Sequence, residues 1–539
     1  MYNNFRYWLL ILCFYQVSAQ HFSRQDSLQG GLPIERTCFN VLHYGLDIKV
    51  DIYKKYISGY NEIDFKVIQS TKKIQLDLYS NMQVDSIVYN SKKLEYKRDF
   101  GAVFIDFPTV LQPKSLQKVK FYYSGNPIIA KNAPWDGGFV FKTDALGKPW
   151  VGVACQGDGA SMWYPCKDSQ SDEPDNGATI KVAVPNGLMN VSNGRFTGAV
   201  DLKNGYTRWD WQVLNPINSY DITLNIADYA HFGENYKGLD LDYYVLQENL
   251  EKAKSQFKQV KPMLDCFQSK FGTYPFANDG YKLVETSYLG MEHQSAVAYG
   301  NKYKNGYLGR DLSGTGVGLK FDFIIVHESG HEWFGNSITS KDIADMWIHE
   351  GFTCYSESVF LECQYGYDTA QTYINGLKQN IQNDIPIIGP YGVNTEGSSD
   401  MYYKGALMLN TIRSIIANDK KWWELLLAYS IKFRHQIIQT NDVISFFNKE
   451  SKINLTPIFN QYLRYKELPV LEIRTIKSQV QFRWNSNEPN FNMPIDLLFK
   501  NKKIRIFPTN KWAKNNLNIK NSNDFEVCTK QFLVNIVRL

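Results

Sequence analysis

His327-Glu328-Ser329-Gly330-His331 sets two imidazoles four positions apart, with a carboxylate beside the first. On an α-helix, positions i and i+4 lie one turn apart on one face, so both rings can reach a single metal ion. Glu328 then stands where it can take a proton from water at that metal. A tetrahedral catalytic centre needs a third protein ligand and leaves its fourth position open. Glu350, at the head of Glu350-Gly351-Phe352, follows His331 by 19 positions and supplies the missing carboxylate. The expected donor set is His327, His331 and Glu350, holding one Zn2+ per chain. The alternative is two core histidines on an amphipathic helix. His349 is expected to point away as a structural residue, and His21, His43, His231 and His435 have no ligand-like spacing.

Such a site needs two packed helices. Phe323, Ile324, Val326 and Phe334 around the first histidine suit one buried helix. Trp347, Ile348, Phe352, Tyr355 and Val359 have the spacing of a second. Upstream, about 40–235 reads as β-structure. Leu46/Ile48/Val50/Ile52, Ile63/Phe65/Val67 and Ile74/Leu76/Leu78 alternate with polar residues, and turn signals recur at Ser58-Gly59, Asp136-Gly137-Gly138 and Pro185-Asn186-Gly187. This pattern predicts an antiparallel β saddle or sandwich. The period changes at Leu250, Ala253, Phe257, Val260 and Leu264, which predicts one amphipathic helix ending at Gly272. Helical signals continue to about 465, with a strand-like exception from Met291 to Tyr299. Strand-like runs return at Val480/Phe482/Trp484, Ile495/Leu497/Phe499 and Ile504/Ile506. The fold class is therefore multidomain α and β. The expected division is 1–19 leader, 20–235 β domain, 236–468 mostly helical catalytic domain and 469–539 small β domain.

Composition narrows the class. The chain has 539 residues, more than one core can serve, with 44% hydrophobic, 21% charged and 15% aromatic residues. A net charge of +5 without a dense Lys/Arg cluster argues against nucleic acid or a membrane surface as partner. Arg6, the apolar run 7–15 and Val17-Ser18-Ala19 read as a cleavable secretory leader, too short to span a bilayer. Export to a periplasm or beyond the cell is the expectation, with no membrane span after cleavage. Seven cysteines then remain, an odd number whose pairing the sequence leaves open.

Further segments carry a family resemblance. Gly290-Met291-Glu292-His293-Gln294 resembles the G-x-M-E-N exopeptidase motif of M1-family (gluzincin) zinc aminopeptidases, with Leu289 and His293 as departures. Tyr402-Tyr403-Lys404-Gly405 resembles their Y-x-K-G run. Trp163-Tyr164-Pro165-Cys166-Lys167-Asp168 resembles their W-F-P-C-x-D signature, and Trp333-Phe334-Gly335-Asn336 also fits, after Glu332 in place of the commoner Gln. The resemblance extends over nearly all the mature chain, to a short bacterial-type member without the C-terminal helical domain.

What the resemblance implies is specific. The first β domain would be saddle-like and the catalytic domain thermolysin-like. Gly290 and Met291 would lie on an edge strand that pairs with substrate backbone, and Glu292 would bind the substrate's free α-amine. Gln156 would reach the same amine from the N-terminal domain. Tyr402, with Tyr403 as the neighbouring alternative, would donate a hydrogen bond to the oxyanion. The implied activity is removal of single N-terminal residues from peptides with a free N-terminus. Two other readings stand beside it: a thermolysin-like endopeptidase, and a catalytically inactive peptide-binding surface protein.

Overall fold

The computed structural model describes residues 22–539 apart from 478, 515–518 and 520. The leader expected at 1–19 lies outside the described residues.

The alternating segments form strands. Phe39–Asp51 and Tyr56–Val67 pair antiparallel, burying Leu46, Ile48, Val50, Ile63, Phe65 and Val67 on one face. They lie inside an eight-stranded sheet that runs from Arg195–Asp201 at one end to Lys92–Lys93 at the other. On its other edge Phe39–Asp51 pairs parallel with Ala178–Pro185. A four-stranded sheet containing Gly138–Thr143 and Pro149–Ala154, and a three-stranded one containing Thr71–Asp77, complete this β-rich unit.

A five-stranded mixed sheet follows, in the order Tyr229–Tyr236, Leu239–Leu246, Tyr281–Glu285, Val297–Tyr299, Gly290–Met291. Leu241, Tyr243, Val245 and Leu283 join the core of the helices, whereas Tyr244, Leu246 and Val284 join the core of the β-rich unit. Neighbours along a strand face opposite sides, so the inner strands of this sheet form a partition buried on both faces, while its outer strand Tyr229–Tyr236 is largely exposed. The boundary expected at 235 falls inside its first hairpin, because Tyr229–Tyr236 pairs along its length with Leu239–Leu246. Alternation within a strand does not reveal which sheet the strand joins.

The helix expected through Leu250 and Leu264 is two helices, Leu250–Gln256 and Val260–Phe271, joined by a tighter turn at Phe257–Gln259. Pro262 explains the break: it has no N–H for the carbonyl of residue 258, and proline is tolerated only in a helix's first turn. Gly272 ends the second helix at φ 91°. A disulfide, Cys266–Cys363, ties that helix to Trp347–Tyr365. Five other described cysteines are free: Cys38, Cys155, Cys166, Cys354 and Cys528. The last strands, among them Val470–Ile476, Gln479–Asn485 and Ile495–Phe499, contribute Leu471, Ile473, Phe482 and Leu497 to the same core as the helices.

Candidate metal and substrate site

The helix Phe323–Gly330 starts at Asp322, whose carboxylate accepts from the backbone of Ile324 and Ile325. It carries His327 and Glu328. His331 closes it with helical backbone, φ −62° and ψ −22°, one turn beyond His327. The two rings lie 5.1 Å apart, centroid to centroid. Each turns its Nδ1 away from the other side chain. His327 Nδ1 meets Glu357 Oε1 at 2.7 Å, and His331 Nδ1 meets the Phe334 carbonyl at 2.9 Å. The Tyr373 hydroxyl in turn donates to Glu357 Oε2 at 2.6 Å. Both Nε2 atoms are left facing Glu350 Oε2, at 3.6 and 3.4 Å.

Glu350 lies in the first turn of Trp347–Tyr365. Its Oε2 is buried without a hydrogen-bond partner among the described residues. Burial works against its charge, but His331 and His327 outweigh burial and hold the carboxyl well below the usual range. Among the described residues, one donor atom each from His327, His331 and Glu350 fall within 4.8 Å of one another. Two imidazoles with their outer nitrogens already engaged, converging with an orphaned carboxylate oxygen, fit a zinc ion: three N/O donors, and oriented rings. His349 does point elsewhere, its Nε2 accepting from the Ser340 backbone N–H at 2.8 Å.

Two glycines let the partner helices close on this centre. A Cβ on Gly405 would lie 3.1 Å from the Gly351 Cα. Gly351 follows Glu350, and Gly405 sits in the first turn of Tyr403–Ile416, the helix that Tyr402 precedes. The bare contact therefore brings Tyr402 up to the metal donors, its ring 6.2 Å from that of His327. Burial raises the Tyr402 phenol well above its ordinary value, and Glu350, Glu396 and Glu292 add to this, so it stays a hydrogen-bond donor. Lys404 is structural: its ammonium donates to the carbonyls of Tyr465 and Lys466 at 3.2 and 2.7 Å.

The other wall is the edge strand Gly290–Met291, paired antiparallel with Val297–Tyr299. A side chain at Gly290 would put its Cβ 2.9 Å from Glu328 Oε1, so only glycine leaves the carboxylate its place. Glu292 follows. Its Oε1 accepts from Gln156 Nε2 and from the Tyr220 hydroxyl, and its carbonyl accepts from Asn336 Nδ2 at 2.8 Å. Burial raises its carboxyl to about 7, with His331 opposing and Glu350 and Glu328 adding to the rise. A carboxylate oxygen of Glu292, one of Glu328 and a ring nitrogen of His331 lie within 4.8 Å of one another.

Gln156 comes from the β-rich unit. The Trp163–Asp168 segment holds its loop: Asp168 accepts from the backbone of Ala160 and Ser161, the Tyr164 hydroxyl donates to the Ser219 carbonyl, and Lys167 pairs with Asp172 at 2.7 Å. The nine residues expected from the sequence, namely His327, His331, Glu350, Glu328, Tyr402, Glu292, Gly290, Met291 and Gln156, all line one cavity of about 670 Å³. Tyr403, the neighbouring alternative to Tyr402, lines it as well.

Glu357, Tyr220 and Glu396 join the site without having been expected from the sequence. Glu357 had a readable signal, because it follows Glu350 by seven positions, two helical turns on the same face. Tyr220 and Glu396 had none, as Tyr220 lies in the short turn Ser219–Asp221 and Glu396 in a loop, both brought to the site only by the tertiary fold.

Comparison with known proteins agrees with this architecture. The Peptidase M1 N-terminal domain model matches residues 40–220, and the Peptidase family M1 domain model matches residues 255–462. The chain belongs to peptidase family M1. It is similar to glutamyl aminopeptidase of Bos taurus, 21% identical over 62% of this chain and 37% of that protein. It is also similar to aminopeptidase B of Mus musculus, 24% identical over 56% of this chain and 46% of that protein. The chain thus spans less than half the length of these curated relatives. An M1 zinc metallopeptidase from Deinococcus radiodurans, solved as a mutant with a Tyr-Ser-Ala substrate, shares the fold with a TM-score of 0.64. That match is 19% identical and covers 80% of this chain and 95% of the other.

Proposed function

We propose that this protein is a zinc-dependent aminopeptidase that hydrolyses the first peptide bond of peptides with a free N-terminus. One observation carries the reading. A buried carboxylate, Glu292, backed by Gln156, closes the cavity within reach of the metal-facing His331. An α-ammonium group would find its partner there. An internal peptide segment would instead leave that buried carboxylate unpaired, which is costly. The endopeptidase reading leaves Glu292 and Gln156 without a role, and the binding-module reading does the same for Glu328.

Zinc, held by His327, His331 and Glu350, would supply Lewis acidity to water and to the scissile carbonyl. The chain's own groups do the rest. Glu328 accepts the attacking water's proton on its carboxylate and hands it to the leaving amine. The Tyr402 hydroxyl donates a hydrogen bond to the developing oxyanion. Glu292 and Gln156 hold the ammonium and so set which bond is cut. Glu357 fixes the tautomer and plane of His327. The Gly290–Met291 edge offers backbone groups for the substrate to pair with.

The partners on this reading are peptides, in line with M1 neighbours solved with a Tyr-Ser-Ala substrate, L-tryptophan and L-arginine. We also propose export, to a periplasm or outside the cell. The leader-like start of the sequence and the Cys266–Cys363 disulfide support it, since disulfides persist in oxidising compartments. Among the described residues, no helix is long and apolar enough to cross a membrane.

Replacing Glu328 by Gln keeps the side chain's shape but removes the proton acceptor. Turnover should fall by at least about a hundredfold, while metal analysis still finds one zinc per chain. Substantial activity in Glu328→Gln would exclude Glu328 as the proton acceptor.

A further inference from the structure

Six carboxylates line the cavity, Asp158, Glu292, Glu328, Glu350, Glu357 and Glu396, and among the described residues no Lys or Arg lines it. Four of them are already engaged by the reaction, with Glu350 facing the metal, Glu357 on His327, Glu328 as base and Glu292 on the α-amine. Asp158 and Glu396 are left over. Asp158 is two residues past Gln156, and one of its oxygens accepts from the Gly137 backbone N–H at 2.7 Å. The Glu396 carboxylate has no hydrogen-bond or ion-pair partner among the described residues.

The position of Glu396 is well defined. A Cβ on Gly157 would lie 3.7 Å from Glu396 Oε1, so the carboxylate hangs over the loop that presents Gln156. Asn394 Nδ2 ties the two loops together through the Gly157 carbonyl at 3.0 Å. Glu396 and Tyr402 line the same cavity, and the Glu396 charge adds to the rise of the Tyr402 phenol. It therefore stands between the group that takes the α-amine and the group that takes the carbonyl oxygen. If the α-amine is held at Glu292 and the carbonyl oxygen at Tyr402, the first Cα lies between them, and its side chain would then face the part of the cavity that Glu396 lines. Trp135, largely exposed at the rim of the same cavity, offers a ring face suited to a guanidinium.

We propose that Glu396, assisted by Asp158, makes the site select peptides whose N-terminal residue has a cationic side chain, arginine or lysine. This rests on the aminopeptidase reading above. A cationic side chain gives both spare carboxylates a partner. An aliphatic one leaves the Glu396 carboxylate partly desolvated and unpaired, and an acidic one adds a third negative charge. Burial raises the Glu396 carboxyl to about 7, with Glu350 and Asp158 adding to the rise, and an adjacent cation would favour its charged form.

The test is a panel of Arg-, Lys-, Leu- and Glu-4-nitroanilides with the zinc-loaded full chain. Arg and Lys should exceed Leu in kcat/KM by at least about tenfold, the worth of one charge-assisted hydrogen bond. Glu396→Gln should lower the Arg/Leu ratio by a similar factor, and Glu396→Lys should raise the Glu/Leu ratio. A merely structural role would scale all four substrates together and leave the ratios alone. Leu equal to Arg in the unaltered protein, or ratios unchanged in Glu396→Gln, would overturn the proposal. If no substrate is cleaved, the aminopeptidase reading fails, and calorimetry still decides this one. L-arginine should then bind at least about tenfold more tightly than L-leucine, and lose that advantage in Glu396→Gln; equal binding would contradict it.

Discussion

At the scale of single residues, the candidate metal centre is a set of oriented donors. His327 and His331 point inward because Glu357 and the Phe334 carbonyl engage their other nitrogens. The carboxylate behind His327 should matter for affinity as well as geometry, since it raises the basicity of the ring it holds. Glu357→Gln should therefore weaken zinc binding by about 10- to 100-fold in a competitive chelator titration. An unchanged affinity would mean that His327 is oriented by packing alone. His327 and His331 could be read from the sequence because a four-residue step puts them on one helical face, Glu328 because it adjoins the first of them, and Glu350 because the donor set needed a third member from a second helix. Glu357 obeyed the same rule and could have been read from it. Tyr220 and Glu396 could not, because no local period marks a residue delivered by a short turn or a loop from far along the chain.

At the scale of elements, two helices and an edge strand meet where glycine removes the side chains that would separate them. The Gly351–Gly405 contact sets the approach of Trp347–Tyr365 to Tyr403–Ile416, and with it the distance from Tyr402 to the metal donors. Gly405→Val should push the helices apart, and a misplacement of about 1 Å can cost about a hundredfold in rate. The expected outcome is a lower Tm together with a fall in kcat of about that size; full kcat would show that Tyr402 does not depend on this contact. The helices were visible from their periodicity, but Pro262 shows its limit. Apolar spacing continued through a break that the missing N–H imposed. The strand-like segment from Met291 to Tyr299 resolves into two short strands, Gly290–Met291 and Val297–Tyr299, with Glu292 just past the first.

At the scale of the whole molecule, the five-stranded sheet is a shared wall, with the β-rich unit on one face and the helices on the other. Period-two alternation identified strands, yet it could not assign Tyr229–Tyr236 to this sheet, since sheet membership is decided by long-range pairing. The same non-local logic joins the last strands to the core of the helices. The wall's two sides meet at the substrate end: Gln156 comes from the β-rich unit and Glu292 from the loop beyond the sheet edge. Gln156 should bind the ground state and the transition state alike, so Gln156→Ala should raise KM about tenfold with a smaller effect on kcat. A fall in kcat at constant KM would move Gln156 from holding the amine to assisting the reaction.

On the proposed reading, a centre that recognises a free α-amine and cuts beside it with a metal must fail when either is taken away. Both can be removed in one experiment, hydrolysis of a single peptide with its N-terminus free or acetylated, before and after chelation by 1,10-phenanthroline. Release of the first residue is expected from the free peptide only, abolished by the chelator and restored by zinc. Cleavage of the acetylated peptide, or cleavage that survives chelation, would contradict this reading of the site.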